Sequence, residues 1–128
     1  GRSGVERLRA SRRDYARVAR DPLHRAHLVV IDAGLALATG HRPEASRILE
    51  RAEREAAVLG HASMAIEVEL LRARLAVAEG DVPLARDRIE SALAIARRHG
   101  HRLAEGRIGR LSVALGLGGE ATKAGPSC

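Results

Sequence analysis

This chain of 128 residues has no Trp, no Phe, one Tyr, one Cys and one Lys. Each scarcity excludes something. Without aromatic side chains there is no large ring to anchor a core, and only Tyr15 is available to stack on an exposed base. The single cysteine, Cys128, cannot close an intramolecular disulfide or share a thiolate metal cluster, so the expected compartment is cytoplasmic. No apolar run approaches the roughly 18 residues that a membrane span requires. Strand-favouring β-branched and aromatic residues are sparse, which points to helices. The sequence has no Gly-x4-Gly-Lys phosphate loop and no Gly-x-Ser-x-Gly elbow. The opening Gly1-Arg2-Ser3-Gly4 carries neither Met nor a signal-peptide pattern and reads as a cut inside a longer protein or an expression remnant.

Hydrophobic residues make up 45% of the chain, enough for a core built from Ala, Leu, Val and Ile on closely packed helices. The net charge is +6 and is unevenly placed. Residues 1–26 hold eight Arg against Glu6, Asp14 and Asp21, whereas residues 27–98 hold ten Arg against eleven acids. The body is therefore near neutral, and the basic character gathers at the N-terminus.

Apolar periodicity and turn residues predict six helices, over 5–19, 23–39, 42–59, 62–79, 82–98 and 102–116. Asp21-Pro22 breaks the first from the second, because the residue before Pro is pushed out of the helical region. Gly40, Gly60, Gly80 and Gly100 stop helices, and Pro43 and Pro83 sit just inside the next starts. Asp81 and Ser63 are the expected N-caps of their helices. Gly106 and Gly109 weaken the last helix. The expected organisation is a basic N-terminal helix (1–22), a helical body (23–118) and a flexible tail (119–128).

A spacing then repeats. Gly40, Ala45 and Ala52 recur forty residues later as Gly80, Ala85 and Ala92. The equivalences Pro43/Pro83, Ala56/Ala96, Gly60/Gly100 and His61/His101 fall where the same register places turns and helix crossings. Gly-x4-Ala-x6-Ala resembles the second half of the tetratricopeptide motif, with a turn Gly and two small residues on the second helix. The run from Leu71 to Ala85 is similar to the longer helical repeats of large bacterial transcription regulators of the maltose-regulator type. The likeness covers about residues 24–118. It departs from the motif at Glu69 and Arg72, where large apolar residues are usual, and at Ala36 and Ala76, where Tyr is usual.

The resemblance implies an all-α fold of antiparallel helix hairpins stacked as a short superhelix, without catalytic residues, metal or cofactor. Its concave face is then lined by His27, Val30, Gly34 and Leu37, by Glu67, Leu70, Arg74 and Val77, and by Arg107, Arg110, Ala114 and Leu117. Arg74, Arg107 and Arg110 are the candidates to meet an acidic protein or peptide, since guanidinium groups bind carboxylates bidentately; the alternative is that they are solvated or paired within the chain. The implied role is protein–protein interaction or oligomerisation in a bacterial regulatory or signalling protein. The last helix carries Leu103, Ile108, Leu111 and Leu115 with no later helix to cover them, which marks a candidate self-association surface. Two other readings stay open. The basic segment 2–25 could hold nucleic-acid phosphates, although nucleic acid is not the expected partner. The superhelix could also enclose a small-molecule sensor pocket. The six histidines are expected at turns and caps; His24 and His27 have no acid or Cys at metal-ligand spacing.

Overall fold

In a computed structural model, residues 2–18 and 21–117 are described; the expected tail at 119–128 lies outside the described residues. The described residues form six α-helices and no strand: α1 (Arg2–Val18), α2 (Pro22–Ala38), α3 (Arg42–Leu59), α4 (Ala62–Ala78), α5 (Val82–Arg98) and α6 (Arg102–Ala114). The starts and ends of α3 and α5 coincide with those read from the sequence. Links of two or three residues turn each helix from α3 onward back along its predecessor, and α1 packs on α2.

A twenty-residue cadence governs these turns. Gly40, Gly60, Gly80 and Gly100 all adopt left-handed backbone, with φ of 81, 60, 77 and 66°. Glycine adopts this conformation without the Cβ clash that burdens other residues. The amide of the following residue then reaches back to the helix: the N–H groups of His41, Asp81 and His101 donate to the carbonyls of Ala36, Ala76 and Ala96, each at 2.8 Å. This satisfies carbonyls that would otherwise be orphaned at the helix end. The same following residue opens the next helix, so His41, His61, Asp81 and His101 are N-cap residues, and Asp21 caps α2. Asp81 accepts from the Leu84 amide at 3.2 Å, as expected. Helix α4, however, is capped by His61, whose Nδ1 accepts from the Met64 amide at 3.1 Å. Ser63, the expected cap, lies inside the helix because Gly60 ends α3 only two residues before α4 begins.

The core follows the forty-residue register. Helix α3 buries Ala45, Leu49, Ala52 and Ala56; α5 buries Ala85, Ile89, Ala92 and Ala96 at the equivalent positions. Three alanines on each helix let backbones approach closely, and one larger side chain fills the layer between. Helix α4 is enclosed on more than one side, with Met64, Ile66, Val68, Leu70, Ala73, Leu75 and Ala76 all buried. It is the central element, flanked by α3 and α5 and in contact with α2.

Helix α6 ends at Ala114, earlier than the expected 116. Gly116 takes the left-handed turn (φ 79°), and the Leu117 amide donates to Ser112 O at 2.8 Å. Leu117 then folds into the core at 3% exposure, beside Ile66, Leu70 and Ile108. This corrects the expected self-association stripe. Ile108 is completely buried, and Leu111 and Leu115 pack against the same core. Only Leu103 stands free, at 91% exposure. The stripe is apolar because it faces α4 and α5, so it is not an uncovered surface.

Candidate functional site

Helices α2, α4 and α6 line one side of the body and leave a groove of about 550 Å³. Val30, Ile31, Gly34, Leu37 and Ala38 come from α2, Glu67, Leu70, Leu71, Arg74 and Ala78 from α4, and Arg107 and Leu111 from α6. Leu8 of α1 closes one edge. Gly34 forms part of the floor: a Cβ there would meet only Leu71 Cδ2 at 3.8 Å and Leu8 Cδ2 at 3.9 Å, ordinary contact distances. The lining is therefore mostly aliphatic, with three charged side chains.

Those charges are not equivalent. Arg107 Nη2 donates to Glu67 Oε1, joining α6 to α4 and neutralising both groups. Glu67 and Arg107 are forty residues apart and occupy the same position in successive hairpins. Arg74 is exposed, and no carboxylate pairs with it among the described residues. The groove thus presents aliphatic walls, one internal ion pair and one guanidinium open to solvent. At its foot, Arg42 Nη1 donates to the Ala78 carbonyl at 2.6 Å, tying the start of α3 to the end of α4.

Of the residues expected on a concave face, Val30, Gly34, Leu37, Glu67, Leu70, Arg74 and Arg107 lie in this one groove. His27 does not. Its ring meets His61 edge-on, with centroids 5.7 Å apart and planes at 84°, near the starts of α2 and α4. Arg110 is exposed and is not part of the lining, which Arg74 and Arg107 share. Leu70 contributes a wall and is itself 5% exposed.

On another side of α4 lies a charge network that sequence reasoning missed. Glu69 is 9% exposed and takes hydrogen bonds from Arg88 Nη1, at 3.3 Å to Oε1 and 3.5 Å to Oε2. Arg72 Nε lies 2.9 Å from Glu53 Oε2 across the α3–α4 contact. Burial raises the Glu69 pKa above the ordinary 4.5; the attraction and hydrogen bond of Arg88 pull it back, Glu53 pushes it further up, and Arg72 lowers it. Glu69 and Arg72 are the two positions where the tetratricopeptide likeness expects large apolar side chains. Here the same positions are filled by charges that pair with α5 and α3. A mismatch with the motif at two positions on one helix was the available signal.

Among the described residues, no three His, Cys, Asp or Glu side chains gather as metal ligands, and no helix is long and apolar enough to cross a membrane. No family model, curated protein or solved structure matches this chain.

Proposed function

We propose that this chain is a non-catalytic binding module, a short tetratricopeptide-like stack that holds a segment of another protein in the groove of α2, α4 and α6. The observation that carries this reading is the groove itself: a channel of about 550 Å³ with aliphatic walls contributed by alternate helices and an unpaired guanidinium at its edge. Alternating helices of a hairpin stack line such a face in solenoids, and apolar contact with a few placed polar groups is how pockets bind and orient ligands. Arg74 favours a carboxylate on the guest, because a planar guanidinium matches one bidentately. The setting in a bacterial regulatory or signalling protein rests on the sequence resemblance.

The test is selection of random 12-residue displayed peptides on the full chain. Enriched peptides should combine aliphatic residues with an acid, and should lose more than tenfold in affinity on Arg74→Glu or Ala78→Glu. Both positions are exposed and line the groove, so these variants should keep the fold. Enriched peptides that bind both variants unchanged would place the binding surface elsewhere.

A further inference from the structure

Helix α1 divides its charges between two faces. Leu8 points toward the body and reaches the groove beside Gly34, and Arg12 turns the same way, its Nε 2.6 Å from Asp32 Oδ1 on α2. One arginine is thus used to dock the helix. Arg9, Arg13 and Arg17 lie on the other side, at i, i+4 and i+8, all exposed. None of them has a carboxylate partner among the described residues. Four residues of helix advance about 6 Å, so the three guanidinium groups form a row about 12 Å long. Glu6 and Asp14 are the only acids on α1, and neither forms an ion pair with the row.

We infer that this row is a docking strip for a nucleic-acid phosphate backbone, separate from the groove. Three observations select that occupant. The row is a regular line of unpaired arginines on a rigid helix, and guanidinium groups match phosphate oxygens. Among the described side chains of α1 no large apolar residue is exposed to enter a bilayer; Ala16 is the exposed apolar one beside the arginines. Apart from Tyr15 the chain has no large ring to stack on a base, so contact falls mainly on the backbone and carries little sequence preference. The strip is anchored through Arg12 and Leu8, so it moves with the body. The molecule would then hold a protein segment on one surface and a polyanion on another.

The experiment uses the full chain and a fluorescein-labelled mixed-sequence DNA duplex of about 20 base pairs, followed by anisotropy. Neutralising three phosphates predicts a slope of log K against log salt of about −2.7, or roughly 40-fold weaker binding between 50 and 200 mM salt. R9A/R13A/R17A should lose at least tenfold in affinity at 50 mM salt and flatten the slope, with its helical circular dichroism unchanged. Arg110→Ala, an exposed arginine on α6, should bind the duplex as the parent does. The inference is overturned if the parent binds no more tightly than the triple variant, or if its binding does not respond to salt. It is equally overturned if phosphatidylserine-containing vesicles, and not the duplex, are the probe that the triple variant loses.

Discussion

Replacing Ile108 by Ala separates two roles that the sequence left entangled. Ile108 is fully buried, against Leu70, Ile89 and Leu117 in the larger core cluster. The substitution removes three carbons from a closed environment. At about 0.8 kcal/mol per buried methylene the transfer loss is roughly 2.4 kcal/mol. A cavity that fails to collapse adds to this, and measured large-to-small core changes of this kind run to about 2–5 kcal/mol. Leu103 is the control: it lies on the same helix, 91% exposed, and Leu103→Ala should stay within about 0.5 kcal/mol of the parent. Urea unfolding followed by far-ultraviolet circular dichroism suits a chain without Trp. It should be run at two protein concentrations tenfold apart. The expected result is a large loss for Ile108→Ala that is the same at both concentrations. A loss below 1 kcal/mol, a loss that grows on dilution, or an equal loss from Leu103→Ala would refute the assignment of Ile108 to the core.

Three further outcomes follow from the same structure. Glu69 has a raised pKa from burial, so its folded state holds a proton more tightly than the unfolded chain does. That contribution is present below about 4.5 and is lost as pH rises through the folded value. The stability of the parent relative to Glu69→Gln should therefore fall between pH 4 and 7 in urea titrations; a rise would mean that Arg88 outweighs burial. Gly80→Ala should cost about 1–2 kcal/mol in thermal unfolding through backbone strain alone, since φ is 77° and nothing lies within 4 Å of the added Cβ. His61→Ala should cost about 1 kcal/mol by removing the Met64 amide's acceptor, whereas His41→Ala, at an equivalent position with no such bond, should cost less; equal costs would show that the His61 cap is not stabilising.

The helices were legible because their punctuation is local. A left-handed Gly, a Pro just after it and an apolar stripe each act within a few residues of their own position, and Gly40, Pro43 and Ala45 say the same thing three times. The N-cap of α4 was misread because His is an unusual cap and Ser63 a common one; only the closeness of the Gly60 turn decides between them. The groove lining was largely legible from the register, since positions forty apart fall on one surface. The pairing of Glu67 with Arg107 had a signal too: opposite charges at equivalent positions of successive hairpins. His27 escaped because its ring finds an aromatic neighbour in His61, and nothing in the structure explains why Arg110 lies outside the lining. The Glu69–Arg88 contact depends on how far one helix slides along another, which no local rule gives.

The alternation of turns has a last consequence, for where the imidazole rings gather. His27 meets His61, His61 and His99 line one cavity, His99 lies 6.2 Å from His101, and His24 sits one turn from His27. Five of the six histidines therefore share one end of the helix stack, and only His41 is at the other. The end of the stack that carries the α3–α4 and α5–α6 turns is thus rich in ring nitrogens, and the opposite end has a single imidazole.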